Sequence, residues 1–425
     1  MGRLGRPFGF LLSSTALSNL ADGVLKVGTP LLAVSLTRSP AQVALVGAAV
    51  TLPWLLFALH AGAIADRVDR RRIMISANVA RATVLVATAA LWGLGPANLW
   101  IMLVAVLLAG VSEVFADLSA QSVLPMTVTP DRLAQANGRV VGTQVVGNDF
   151  AGAPLAGLLV TLVPAAVFGV PALLYGVAGL LLLGMRGSFQ ARQARIASTA
   201  RTESGEKTSM AADIGEALRY LWSHRFLRTL AVSAGLMNFC SAAYFGVLVL
   251  WVVGAQSRIG LEPSAYGLFT AAFAVGAVAG SLVADRASRL AGESRALIGL
   301  WLVSALLYFV PVLAPIGWLL FPTAVAWGLV GAAANVLVVS CRQRLIPGPL
   351  LGRVNSAYRL IGMGGMPVGA VLGGVLGEFA GLPAVFLSAT GVCLLAVGLL
   401  WRVAREPISA PLTSDAAIHD ISRSR

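Results

Sequence analysis

Twelve apolar stretches, each long enough to cross a bilayer, constrain this chain more than any other feature of its sequence. A crossing helix needs about 20 mostly apolar residues. The first six stretches run 9–36, 42–65, 73–95, 98–120, 139–163 and 166–186. The second six run 229–254, 264–284, 296–315, 317–340, 357–380 and 383–403. A polar interval at 187–228 separates the sets. The expected protein is therefore an all-α polytopic membrane protein of twelve helices in two pseudo-symmetric bundles, 1–186 and 229–403, with a linker at 187–228 and a tail at 404–425. The first stretch has no small-residue cleavage pattern after it and reads as a retained helix, not a signal peptide.

Composition agrees. Hydrophobic residues make up 57% of the 425 positions and charged residues 12%, against about 45–50% and 25% in soluble domains. Mean hydropathy is +0.83. A soluble enzyme, a disordered chain and a disulfide scaffold are all excluded. The three cysteines and three histidines are scattered singly, so neither a metal site nor a cofactor is expected. No Gly-x-x-x-x-Gly-Lys-Ser/Thr loop is present, so ATP is not the direct driver.

The net charge of +13 is a matter of topology. Arg38 and Arg258 lie in one set of loops and Lys26 inside the first stretch; the other 28 basic residues fall at the termini, in the opposite loops or at their helix junctions. The excess of Lys and Arg marks the cytoplasmic side, so both termini are expected in the cytoplasm of a bacterial inner membrane. Dispersal over seven segments also argues against nucleic-acid binding, which needs basic residues on one surface.

The halves repeat each other. The second stretch ends in Gly62-Ala-Ile-Ala-Asp66-Arg67 and the eighth in Ser281-Leu-Val-Ala-Asp285-Arg286. The fourth runs into Gln121-Ser-Val-Leu-Pro125 and the tenth into Gln343-Arg-Leu-Ile-Pro347. Repeats of this kind pack around a central substrate cavity near the midplane.

On these motifs the chain resembles the major facilitator superfamily over residues 8–403. Gly62-Ala-Ile-Ala-Asp66-Arg67-Val-Asp69-Arg70-Arg71-Arg72 is similar to the superfamily's loop motif Gly-x-x-x-Asp-Arg/Lys-x-Gly-Arg-Lys/Arg-Lys/Arg, with Asp69 in place of the second glycine. Asn19-Leu-Ala-Asp-Gly23 and the region between the fourth and fifth stretches resemble a bacterial branch of drug and siderophore exporters, including macrolide-efflux and enterobactin-exporter relatives. Gly152-Ala-Pro154-Leu-Ala-Gly157 partly resembles the exporter signature Gly-Pro-x-x-Gly-Gly. The resemblance implies that Gly62, Asp66, Arg67, Arg70 and Arg71 form a clasp between the halves, with Asp66 facing the N-terminus of the eleventh helix, and that Asp285 and Arg286 are a degenerate copy.

Charged groups inside a membrane helix cost about 2.5–3.5 kcal/mol on insertion scales and mark function by default. Thr15, Asn19, Asp22 and Lys26 share one face of the first helix, where Asp22 and Lys26 are expected to pair along the helix. Glu113, Asp117 and Gln121 share a face of the fourth, where neighbouring like charges disfavour joint ionisation and suit a proton carrier. Asp149 is a third acidic candidate, for coupling or for pairing with a buried arginine such as Arg81. Gln144, Asn148, Asn238, Tyr244 and Asn335, with Asn19 and Lys26, are the expected cavity lining. Helix-end tryptophans Trp100, Trp251, Trp318 and Trp401 fit interfacial belts, and Asp213–Arg225 an amphipathic surface helix.

The expected function is a monomeric secondary exporter that moves an amphipathic small molecule outward in exchange for protons. A lysophospholipid or lipid flippase on the same scaffold and a small-solute uptake symporter are the alternatives.

Overall fold

A computed structural model describes residues 5–65, 67–95, 98–187, 189 and 210–404. Among them the regular structure is helical, apart from one isolated backbone bridge between Val253 and Leu261. The first half comprises α1 (Arg6–Leu36), α2 (Pro40–Ala65), α3 (Arg70–Leu94), α4 (Leu99–Thr127), α5 (Pro130–Leu162) and α6 (Ala166–Leu183). The linker helix α7 (Met210–Ser223) follows. The second half comprises α8 (Arg225–Val252), α9 (Pro263–Ala291), α10 (Glu293–Leu313), α11 (Gly317–Leu345), α12 in two pieces (Gly348–Gly364 and Met366–Ala380) and α13 (Leu382–Ala404). Eleven helices are long and apolar enough to span a membrane by length and composition. The twelfth, α1, has 31 residues and carries Asp22 and Lys26 within the bundle.

Each half is a six-helix bundle with large apolar side chains turned outward. Leu94, Leu290 and Phe379 are nearly fully exposed, as suits a surface solvated by lipid rather than water. The halves meet along two seams, α2 with α12 and α5 with α9. Glycine allows both. A Cβ on Gly157 would strike the backbone of Pro263, and one on Gly374 would strike Ala44. Small residues are what bring membrane helices into backbone contact.

The seams close only one end. A single apolar core, including Val43, Val247, Val252 and Phe386, joins both halves toward the end away from the chain termini. At the terminus end the core splits into one cluster around Phe8, Met74 and Leu182 and another around Leu227, Leu297 and Leu337.

Several expected details change. The Asp285-Arg286 copy lies inside α9, which runs on to Ala291 before turning at Gly292, so it is no loop motif. Helix geometry then pairs Asp285 with Arg289 four residues on, leaving Arg286 outside the pair. The exporter-like segment in α5 is preceded by a π-helical stretch, Val145–Gly152. Pro154 has no N–H to close an ordinary turn, and the helix widens just before it. Trp251, one residue before the end of α8, donates its Nε1–H to Pro311 O at 2.9 Å and packs its ring on Phe386. Half of the linker and nearly all of the tail lie outside the described residues.

Candidate functional site

Two polar regions lie inside the bundles, and they differ in chemistry. The first is an ion cluster in the N-terminal half. Asp22 on α1 does not pair with Lys26 as expected. Its Oδ1 accepts from Arg81 Nη1 of α3 at 3.1 Å and from the Tyr175 hydroxyl of α6 at 2.5 Å. The Arg81 guanidinium lies over the Tyr175 ring, 4.3 Å from its centroid. Arg81 is 1% exposed, so it is a buried counter-ion and not a helix-junction charge. Three helices are tied by one carboxylate.

Lys26 turns instead to Glu113 on α4, Nζ to Oε1 3.2 Å. Between the two pairs lies a void of about 20 Å³, bounded by Asp22, Lys26, Glu113 and Tyr175, room for about one water. Asp117, one turn beyond Glu113, makes no ion pair among the described residues, although Lys26 and Arg81 are within its electrostatic reach. The cluster thus holds two bases and three acids. Asp149 is exposed on the π-helical turn and does not meet Arg81, because Asp22 already occupies it.

The expected polar lining of the first half is mostly elsewhere. Asn19 is buried against Gly147 in the α1–α5 crossing, and Gln144 is exposed. Asn148 sits in the same crossing, its backbone so close to Gly23 that a Cβ there would collide, and its Oδ1 is buried without a hydrogen-bond partner. Side-chain volume is what α1 and α5 give up to cross so closely.

The second region is a cavity of about 500 Å³ in the C-terminal half. Asn238, on α8, and Asn335, on α11, line it as expected, and Asn238 donates to Gly362 O at 2.9 Å. Tyr244 does not. It is fully buried, stacked on Tyr308 with centroids 4.3 Å apart, and its hydroxyl donates to the Tyr308 carbonyl. The aromatic surface comes from Phe245, Phe273, Trp301, Tyr308 and Trp327, and Arg342 with Arg359 adds positive charge. Sequence reasoning passed over these residues. The aromatics read as ordinary apolar span, and the arginines as topology.

The loop motif has an unexpected local role. Asp66 lies outside the described residues. Asp69 caps α3, its Oδ1 accepting from the N–H groups of Arg71 and Arg72. With φ at −61° this position has no need of the glycine it replaces. Arg71 donates to the carbonyls of Leu182 and Leu183 at the end of α6, at 2.8 and 2.7 Å, where a cation suits the helix dipole. Arg70 is buried and donates to Met126 Sδ of α4, while Arg67 is exposed. A Cβ on Gly62 would meet nothing within 4 Å, so no close helix contact forms there. The described part of the motif holds its own half together, because the two halves are parted at this end.

The cross-half contacts lie at the other end. Glu378 of α12 accepts from Ser39 Oγ at 2.5 Å and from Ala41 N at 3.3 Å. It thereby caps α2 from the opposite bundle. Arg38 Nη1 donates to Val253 O at 3.3 Å nearby.

Two six-helix bundles, sealed at one end and parted at the other around buried polar groups, have the architecture of a membrane transporter. The chain belongs to the transmembrane secretion effector family of the major facilitator superfamily, whose model matches residues 6–420. It is 26% identical over 399 residues to the multidrug efflux pump Tap of Mycobacterium tuberculosis (strain ATCC 25618 / H37Rv), covering 90% of each chain. The Mycolicibacterium fortuitum multidrug efflux pump Tap is 24% identical over 399 residues, covering 90% of this chain and 92% of that one. In fold the chain is similar to a bacterial homologue of the iron transporter ferroportin in an inward-facing state, with a TM-score of 0.69, 18% identity and coverage of 94% and 99%. It is also similar to a bacterial homologue of the human lysosomal transporter Spinster, inward-facing and unoccupied, at 0.68, 14%, 95% and 98%.

Proposed function

We propose that the protein exports amphipathic small molecules across the bacterial inner membrane, driven by inward proton flow, with both termini in the cytoplasm. The observation that carries this reading is the charge balance of the N-terminal cluster. Arg81 and Lys26 each hold one carboxylate, Asp22 and Glu113, and Asp117 is left without a counter-ion. A carboxylate half-withdrawn from solvent with no ion-pair partner is costly when charged. Asp117 is therefore the group that takes up the proton and gives it back as the bundles rock. The relatives named as efflux pumps support the outward direction, and the distribution of basic residues supports the orientation. In that orientation the structure is the inward-facing state.

One proton entering down about 100 mV supplies roughly 2.3 kcal/mol. That sustains a substrate gradient of about fiftyfold per proton.

The test is transport in proteoliposomes with an imposed pH gradient and an internal pH dye, against antibiotics, siderophores and lysolipids. At least one compound should move and dissipate the gradient. Asp117→Asn should lose gradient-driven transport yet keep exchange between equal pools. Full gradient-driven transport by Asp117→Asn would exclude Asp117 as the carrier, and movement of lysolipids alone would favour the flippase reading.

A further inference from the structure

The C-terminal cavity has an unbalanced hydrogen-bonding inventory. Three of its lining residues bury polar atoms that have no hydrogen-bond partner among the described residues: Arg342 Nε, Trp327 Nε1 and Tyr358 Oη. The first two can only donate, and the third donates readily. Trp327 is 3% exposed and Tyr358 6%. Such groups are expensive to bury unless something satisfies them.

The charge is equally one-sided. Among the described residues no Asp or Glu lines the cavity, whereas Arg342 and Arg359 both do. The carboxylate in reach of this end of α11, Glu293, is taken by Arg344 and by the Cys341 thiol. The Arg342 guanidinium is held in place over the Tyr358 ring, 4.0 Å from its centroid. Stacking leaves the in-plane N–H groups of a guanidinium free to engage an oxyanion side-on. Beyond this end, Phe245, Phe273 and Trp301 supply flat apolar surface.

We infer that this cavity takes acidic amphipaths: an apolar, preferably aromatic, body lies against Phe245, Phe273 and Trp301, and a carboxylate or equivalent oxyanion is received by the guanidinium of Arg342, stacked on Tyr358, with Arg359 adding positive charge. The inference rests on the export reading above and takes this cavity as its substrate site. A lipophilic cation would meet two arginines and no counter-charge. A neutral ester would leave Arg342 without its charge-assisted bond. Sites built to satisfy buried donors reject analogues that lack the acceptor far more strongly than they sort apolar bodies by size.

Equilibrium dialysis of the full chain in nanodiscs at pH 7 tests this with three probes: 1-naphthaleneacetate, its methyl ester and 1-naphthylethylamine. The acid should bind at least tenfold more tightly than the ester or the amine. Arg342→Gln should bring acid and ester within about twofold of each other, with ester affinity unchanged as the sign of an intact fold, and Arg342→Lys should restore part of the preference. Equal or tighter binding of the amine or ester, no measurable acid binding, or an acid preference that survives Arg342→Gln would overturn the inference. The measurement uses no gradient, so an intact acid preference with no proton-driven export would fail only the transport reading, and the converse would fail only this one.

Discussion

Arg81 Nη1 lies 3.1 Å from Asp22 Oδ1, and neither side chain is more than 5% exposed. The pair ties α3 to α1 in the interior of the N-terminal bundle, with Tyr175 closing it from α6. Removing one partner of such a pair leaves an uncompensated buried charge, at about 3–5 kcal/mol. Asp22→Asn and Arg81→Gln should therefore each lower thermal stability in detergent markedly. The double variant should recover part of the loss. A double variant that merely sums the two losses would show that the groups do not act as a pair.

Lys26 and Glu113 should behave differently. Lys26 keeps 39% of its side chain exposed and Glu113 13%, so this pair lies nearer the solvent-open case, worth about 0–1 kcal/mol, than the Asp22–Arg81 pair does. Glu113→Gln should unfold within about 1 kcal/mol of the parent chain, well above Asp22→Asn in the same melt. It is not a neutral probe of coupling, however, since it frees Lys26. Gradient-driven transport should be compared in Glu113→Gln and in Glu113→Gln with Lys26→Met; recovery only in the double variant would assign the defect to the stranded lysine.

Glu378 caps α2 from the other half at the closed end. Losing a cap of this kind costs about 0.5–2 kcal/mol, here from the present state alone if the contact breaks when the halves rock. Glu378→Gln should shift the population toward the state open at the Ser39 end. The readout is maleimide labelling of Ser241→Cys, in the C-terminal cavity, from each side of the membrane. The native cysteines are buried and free, which keeps background low. Labelling from the terminus side should fall several-fold and rise from the other. An unchanged ratio would reduce Glu378 to a local cap.

Gly157 faces Pro263 across the α5–α9 seam with no room for a methyl group. Gly157→Val should destabilise the closed seam and lower transport by at least tenfold with membrane insertion intact. Gly62→Val should leave this state untouched, because a Cβ there meets nothing. Cysteine cross-linking between α5 and α9 in the two variants checks the contrast.

The amino-acid sequence alone determined the helical membrane fold, its two halves and the charged faces of α1 and α4. Hydrocarbon imposes these locally: span length, apolar content and the spacing of Asp22, Lys26, Glu113 and Asp117 need no knowledge of neighbours. Partner choice was not legible. Within α1, spacing offers Lys26 to Asp22, yet α3 and α6 deliver Arg81 and Tyr175 closer, and α4 brings Glu113 to Lys26. Nor could spacing show that Tyr244 turns into an aromatic core while Asn238 and Arg342 line a cavity. A buried charge or donor takes whichever group the packed helices bring within about 3 Å, and that distance is set only when distant segments of the chain are folded together.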